Sequence, residues 1–149
     1  MESGLGPEKI ADLRLSYLEM LQAAISRMAS NSATLKNYCV TLVAATCGLA
    51  ITIEAPAVIL LGWLPVLVFA YLDSKYLQLE RCFRSLYDGA RQEDWTSMPS
   101  FNLDLSHVQP VSLRRVLRSW SISHFYLPLA VGVGVASGLM AVLHVPANH

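Results

Sequence analysis

Hydrophobic positions along the chain are gathered into three nearly uncharged segments. Between Lys36 and Asp73 the only Lys, Arg, Asp or Glu is Glu54, and none follows Arg118. The segments run over residues 32–53, 57–72 and 124–145. A bilayer core about 30 Å thick is crossed by a helix of about 20 mostly apolar residues, so each segment predicts a transmembrane helix. Buried core helices of a soluble protein are the alternative, but too little polar chain remains to cover three of them.

The order of charges predicts the topology of these segments. Glu54, Ala55 and Pro56 predict a tight turn between the first two, because a helix accepts proline in its first turn. All 11 Lys and Arg residues either precede the apolar heart of the first segment or lie between the second and third segments. The positive-inside rule then predicts a cytoplasmic N-terminus and an external C-terminus. Charged sequence precedes the first segment, so we expect it to be retained rather than cleaved as a signal peptide.

The first 31 residues predict a cytoplasmic amphipathic helix. Apolar residues recur there every three or four positions, which gives the helix a broad apolar face. Ser30, Asn31 and Ser32 predict a bend or cap between this helix and the first transmembrane helix. The apolar positions are Ile10, Leu13, Tyr17, Met20, Ala24 and Met28.

The second apolar segment continues into a charged stretch without a helix-breaking residue, which predicts one helix over about 57–91. Such a helix would be about 50 Å long. In its charged half, Glu80 and Arg84 are spaced for an ion pair. A heptad-like stripe there predicts packing on the N-terminal helix of the same subunit or of a neighbour. The stripe consists of Leu72, Tyr76, Leu79, Phe83, Leu86 and Ala90.

The residues between the second and third segments predict two short features. Phe101, Leu103 and Leu105 alternate with polar residues, which predicts a strand or an extended lid. Residues 112–120 predict a basic interfacial segment, because apolar residues lie on one side of a helix there and three arginines, which anionic headgroups attract, lie on the other. Topogenic anchoring is the alternative role for this segment. The three arginines are Arg114, Arg115 and Arg118.

Two stripes of small residues predict helix contacts inside the membrane. Small residues allow helix backbones to approach closely and pack by dispersion in lipid. One ridge, in the third segment, contains Ala130, Gly134 and Gly138. The other stripe, in the first segment, is the candidate lining of a lumen if subunits form a ring, and close packing is its alternative. It contains Thr41, Ala45, Gly48 and Thr52. Pro65, which follows Gly62, predicts a kink in the second helix.

Composition and charge narrow the function. The chain is 54% hydrophobic and 15% charged with no net charge, which argues against both disorder and a nucleic-acid-binding domain. Cys39, Cys47 and Cys82 have neither CxxC nor metal-ligand spacing, so we expect no metal or other cofactor. Arg118 and His124 match the Arg-x5-His spacing of HEPN ribonucleases only weakly. We therefore expect no enzymatic activity.

The most distinctive string of the chain is YLDSKYLQLERCFRSLYD at residues 71–88. It resembles the RipA-like small octameric bacterial membrane proteins, to which the membrane accessory protein of some type VI CRISPR systems is similar. The resemblance implies an oligomeric inner-membrane protein and, for some members, antiphage defence through pore formation. It also implies a role in assembly for the matching residues Asp73, Tyr76, Glu80, Arg81, Phe83, Arg84, Tyr87 and Asp88. Leu79 joins this set through the heptad-like stripe.

Together these observations predict an all-α integral membrane protein with three transmembrane helices. Its parts are a cytoplasmic helix (1–31), a transmembrane hairpin (32–72), a cytoplasmic extension with linker (73–123), and a third transmembrane helix with a short external tail (124–149). We expect a homo-oligomeric pore in the bacterial inner membrane that acts in antiphage defence, with copies of itself and membrane lipids as partners. The alternative is a non-conducting anchor that recruits a soluble defence partner through residues 72–91.

Overall fold

A computed structural model of the chain describes residues 6–106, 108–109 and 111–143, and this part of the chain is helical without a β-strand. The elements are α1 (Pro7–Thr52), a 3-10 helix (Pro56–Gly62), α2 (Trp63–Gln92), α3 (Leu113–Leu117) and α4 (Trp120–Leu143). Three helical stretches are long and apolar enough to cross a membrane, namely α1, the 3-10 helix with α2, and α4. The predicted helical class and the three candidate spans are confirmed. The predicted end of the third segment and the external tail lie outside the described residues.

The helix α1 is continuous over 46 residues, so the predicted helix boundary at residues 30–32 is wrong. Polar side chains here bond along the helix instead of capping it. The Thr34 hydroxyl donates to the Ser30 carbonyl at 3.0 Å, and Lys36 Nζ donates to the Ser32 hydroxyl at 2.8 Å. At about 1.5 Å per residue, α1 is about 69 Å long. A single helix therefore connects the polar and apolar halves of the molecule.

The turn between α1 and the 3-10 helix is as tight as the sequence predicts. Glu54 adopts a left-handed conformation with φ 51°, and the Ala55 N–H donates to the Ala50 carbonyl at 3.1 Å. The 3-10 helix that follows has seven residues, which is long for this helix type. Pro65 has no N–H to donate to the Leu61 carbonyl, so regular α-helical bonding cannot extend through this segment. The predicted kink is seen as a change of helix type at Gly62.

Two separate clusters of buried side chains hold the helices together. In the apolar half, α1, the 3-10 helix, α2 and α4 share a core formed by Cys39, Val43, Ala50, Ile59, Val66, Ile122, Tyr126 and Val133. In the charged half, which we call the polar extension (residues 7–35 of α1 and 74–92 of α2), a smaller core contains Tyr17, Leu21 and Ala90, with Leu18, Phe83, Leu86 and Tyr87 packed against it. The C-terminal half of the heptad-like stripe, Phe83, Leu86 and Ala90, therefore packs on α1 of the same chain, whereas Leu72 and Leu79 are exposed.

The loop between α2 and α4 contains one short helix. Residues 101–105 have neither helix nor strand hydrogen bonding, so the strand alternative is wrong. The extended lid stays a prediction. The basic segment is split, because α3 has only five residues and α4 begins at Trp120 rather than at His124. The Ser119 carbonyl starts α4 by accepting hydrogen bonds from the N–H groups of Ile122 and Ser123, at 3.2 and 2.9 Å.

Candidate functional site at the polar end of the apolar bundle

A buried ion pair joins α1 and α2 where the apolar half of the molecule meets the polar extension. Lys36 Nζ lies 2.5 Å from Asp73 Oδ2. The Asp73 side chain is fully buried, and that of Lys36 is 18% exposed. Asp73 therefore lies inside the chain rather than on the assembly surface that the resemblance implies. Lys36 was not among the predicted site residues.

A signal for this pair is nevertheless present in the sequence. Lys36 is the last charged residue before the first apolar stretch, and Asp73 is the first after the second. In an antiparallel hairpin, residues equidistant from the turn lie side by side. Lys36 is 18 positions before Glu54 and Asp73 is 19 after it. A predicted hairpin thus brings the two opposite charges to the same level.

The helix α4 completes this site with two aromatic residues. The Phe125 ring centroid lies 5.9 Å from Lys36 Nζ, within the range of a cation–π contact. Tyr126 is buried, and its hydroxyl is near enough to the Asp73 carboxylate to interact with it electrostatically. We call the four residues Lys36, Asp73, Phe125 and Tyr126 the polar junction, because side chains of all three long helices meet there.

Several buried polar atoms at or near the polar junction lack a hydrogen-bond partner. Asp73 Oδ1, the Tyr126 hydroxyl and the Ser119 hydroxyl are buried without a hydrogen-bond partner among the described residues. Each such group costs about 1–3 kcal/mol when it is removed from water. Hydration of these atoms would offset part of the energy needed to separate α4 from the junction.

The polar junction lies close to one boundary of the apolar layer. From Lys36 to Thr52 the helix rises about 24 Å, and from Tyr126 to Leu143 about 26 Å, against a bilayer core of about 30 Å. Exposed aromatic side chains lie near this level, a distribution typical of the membrane–water boundary. They are Tyr38, Tyr71 and Trp120, of which Trp120 is 75% exposed and stacks on the His124 ring.

The stripe of Thr41, Ala45, Gly48 and Thr52 lies on the outside of the protomer, where all four residues are exposed. At 100° per residue this face of α1 is opposite the face that buries Cys39, Val43 and Ala50. The hydroxyls of Thr41 and Thr52 donate to backbone carbonyls one turn earlier, at 3.0 and 2.9 Å. The stripe is thus not used by the core of its own chain. Its role as a lumen lining stays a prediction.

The ridge on α4 is divided between inside and outside. Ala130 packs on the apolar core, and a Cβ added at Gly134 would lie 3.7 Å from the Trp63 ring. A Cβ added at Gly138 would have no heavy atom within 4 Å in the described chain. Two of the three predicted packing positions therefore pack within the protomer, and Gly138 is open.

Leucine substitutions test this division of the ridge. Gly134→Leu should lower the free energy of unfolding by about 1–3 kcal/mol, because the longer side chain collides with Trp63. Gly132→Leu is the matched control and should not lower it, because a Cβ added at Gly132 would have no heavy atom within 4 Å in the described chain. Thermal unfolding of the detergent-solubilised protein, followed by circular dichroism, measures both. Equal destabilisation of the two variants would contradict the intrachain contact.

The other predicted assembly residues are also divided. Glu80 is buried, and Tyr76, Phe83 and Tyr87 are half-buried. Phe83 and Tyr87 pack on the small core of the polar extension. The predicted Glu80–Arg84 pair is confirmed, with Arg84 Nη2 at 2.8 Å from Glu80 Oε1. The residues of the set that remain exposed are Leu79, Arg84 and Asp88. Arg114, Arg115 and Arg118, the predicted headgroup ligands, are exposed as well.

A second polar cluster, at the far end of the polar extension, has no counterpart in the predictions. Arg14 is 2% exposed and binds the α2–α3 loop: its Nε donates to the Ser97 carbonyl at 3.0 Å and its Nη2 to the Ser97 hydroxyl at 2.9 Å. The Tyr17 hydroxyl donates to the Asn102 carbonyl at 2.6 Å. Its ring packs on Phe101, which adopts a left-handed φ of 48°. These contacts hold the loop against α1.

The described residues contain no group of three or more His, Cys, Asp or Glu side chains that could hold a metal ion. Comparisons of the chain with protein-family models, curated proteins and solved structures found no match. The resemblance of residues 71–88 to the RipA-like family therefore stays a prediction, whereas the helical fold and its three candidate membrane spans are established.

Proposed function

We propose that this protein is the protomer of a homo-oligomeric membrane pore. The stripe of small and hydroxyl-bearing residues on α1 carries the proposal, because it faces away from the chain's own core. A lipid-facing helix gains nothing from such residues, whereas a helix that contacts another subunit or an aqueous lumen does. In a closed ring, symmetry places the same face of α1 from every copy around one axis.

The small size of the protomer supports assembly. Between 11 and 28% of the most apolar part of each candidate span is buried within the chain. Three helices in contact leave no lumen among themselves, so conduction requires several copies. The open Gly138 position on α4 offers a second close-packing surface for a neighbour.

Topology and cellular context form the finer part of the proposal. The concentration of basic residues at one end of the molecule supports a polar extension in the cytoplasm. The resemblance of residues 71–88 supports a bacterial inner-membrane location and a role in antiphage defence. A trigger that binds near Leu79, Arg84 and Asp88 would act on α2, which continues without interruption to the polar junction. Displacement there would shift α4 and open the ring.

Thiol accessibility tests the lumen assignment. The natural Cys39, Cys47 and Cys82 are first replaced by alanine. Ala45→Cys and Thr52→Cys are then compared with Leu64→Cys, which occupies an exposed position on α2. Because the reactive thiolate forms only in contact with water, a charged methanethiosulfonate reagent should modify the α1 positions on the order of tenfold faster or more.

Two further measurements make this test decisive. Native mass measured in detergent should show a single oligomer larger than a monomer, and expression should depolarise cells or admit a dye. Equal protection of all three cysteine positions, together with an intact membrane potential at high expression, would refute the pore.

A non-conducting anchor is the second candidate function. It is favoured by the apolar and charged residues that stay exposed on the extension of α2, since Leu79, Arg84 and Asp88 present a mixed surface to a soluble partner. A stoichiometric soluble partner that is lost with Leu79→Asp, in a protein without conductance, would establish it.

A further inference from the structure

Two adjoining grooves lie on α2 just beyond the polar junction. The first has a volume of about 480 Å³ and is lined by Lys75, Tyr76, Gln78, Leu79 and Cys82. The second has a volume of about 360 Å³ and is lined by Arg81, Cys82, Ser85, Val108, Gln109 and Val111. Cys82 lines both, so the two grooves adjoin, and we call them together the α2 groove.

The chain entering α3 borders the α2 groove. The Gln78 amide donates a hydrogen bond to the Val111 carbonyl, and α3 begins two residues later. This contact holds the start of α3 beside α2, one turn from Lys75. The basic segment, with its exposed Arg114, Arg115 and Arg118, therefore begins beside the groove.

Positive charge at the α2 groove is not neutralised by the protein. The ion pairs among the described residues use Arg14, Lys36 and Arg84. No acidic partner within the described chain pairs with Lys75 or Arg81, which line the groove, or with the three exposed arginines of the neighbouring segment, Arg114, Arg115 and Arg118. In a chain with no net charge, this concentration marks a surface for an anion.

The level of the α2 groove relative to the candidate membrane spans indicates which kind of anion it binds. Lys75 Nζ lies 5.7 Å from the ring centroid of the exposed Tyr71, and Trp120 follows Arg118 closely in sequence. The headgroup layer adds about 5–8 Å on each side of the hydrocarbon core. From Lys75 to Leu79 the helix rises about 6 Å, which matches that layer. In a bilayer placed on the three candidate spans, the groove would lie at the level of the lipid phosphates.

We propose that the α2 groove binds the headgroup of an anionic phospholipid. Its phosphate contacts Lys75 and the α3 arginines, and its polar headgroup extends over Gln78. Its acyl chains lie along Tyr71 and Leu72, which are exposed one turn nearer the membrane centre. The lipid links α2 to α3 and thereby to the start of α4. This site is independent of pore formation, because a single protomer contains all of its parts.

A lipid titration of the full-length protein tests the site. Native mass spectrometry in detergent compares a phosphatidylglycerol with a phosphatidylcholine of the same chains. The wild type should bind one phosphatidylglycerol per protomer in preference to phosphatidylcholine. Each cation near a membrane surface contributes about fivefold to the attraction of anionic lipid. Lys75→Gln/Arg114→Gln should therefore weaken this preference about 25-fold.

A matched variant separates a site from general surface charge. Arg27→Gln/Arg91→Gln removes two exposed cations from the polar extension, away from the α2 groove, and should leave the preference unchanged. Equal weakening of both double variants, or no preference in the wild type, would overturn the proposal. So would displacement of bound lipid by millimolar glycerol phosphate, because phosphate alone would then suffice. Circular dichroism should show the same helix content in all three proteins.

Discussion

Replacing Lys36 with methionine is expected to lower the free energy of unfolding by about 3–5 kcal/mol. Methionine fills a similar volume but leaves the Asp73 carboxylate buried without a counter-charge. That side chain has no exposed surface through which water could compensate the loss. Chemical or thermal unfolding in detergent, followed by circular dichroism, measures the change.

The double variant Lys36→Met/Asp73→Leu is the informative comparison. Removing both charges also removes both desolvation costs and the unpaired Oδ1 of Asp73, so the double variant should be as stable as the wild type or more so. Arg27→Met controls for the loss of a lysine-like cation at an exposed position and should cost less than about 0.5 kcal/mol. A double variant as unstable as the single one would contradict the account of the ion pair.

The same variants separate stability from function at the polar junction. If the ion pair only joins the helices, the stable double variant should depolarise membranes as the wild type does. If the proposed trigger acts through the junction, the double variant should fold but fail to conduct, because the apolar pair resists the entry of water. Dye influx measured at equal expression distinguishes these outcomes.

The candidate spans could be predicted because they depend on local composition. A run without charges predicts a membrane helix whatever it packs against, and Glu54 with Pro56 predicts the turn. The predicted helix boundary at residues 30–32 was wrong because it depends on hydrogen bonds and packing, which local composition does not determine. Serine and asparagine favour helix ends when the backbone there needs capping. In α1, however, the Ser30 carbonyl and the Ser32 hydroxyl accept hydrogen bonds from Thr34 and Lys36 within the helix, and α1 packs on α2 on both sides of the site.

Contacts between distant residues account for the parts of the site that periodicity did not predict. A stripe of apolar positions defines one face of a helix but not what covers it. Only the C-terminal half of the stripe on α2 packs within the chain, so Leu79 of the same stripe and Asp88 stay exposed, whereas Asp73 is buried. The pairing of Lys36 with Asp73 could have been predicted from the hairpin. The contact of Arg14 with Ser97 could not have been predicted, because the two residues are 83 positions apart and a charge on an amphipathic helix is usually solvated.

Arg14 connects the N-terminal part of α1 to the residues that directly follow the C-terminus of α2. Its guanidinium donates to the carbonyl and the hydroxyl of Ser97 and contacts Glu93 at 3.4 Å. The turn that presents these acceptors is itself ordered. Hydrogen bonds from the side chain and backbone of Thr96 hold the pKa of the Asp94 carboxyl below its usual value.

Arg14→Met should free this loop without unfolding the helices. Losing charge-assisted bonds to Ser97, at about 1.5–3 kcal/mol each in other proteins, should lower the local opening free energy by about 2–3 kcal/mol. Hydrogen exchange of residues 94–102 should then be about 30- to 150-fold faster, with unchanged exchange near Leu21.

Tyr17→Phe removes only the bond to Asn102 and should produce a smaller acceleration, whereas Lys9→Met, which alters an exposed cation on the same helix, should produce none. Accelerated exchange that spreads to Leu21 in the Arg14 variant would mean instead that the loop and the small core of the polar extension open as one unit. In that case Arg14 would stabilise the whole extension, and a trigger that displaces the loop would reach the polar junction through α1 as well as through α2.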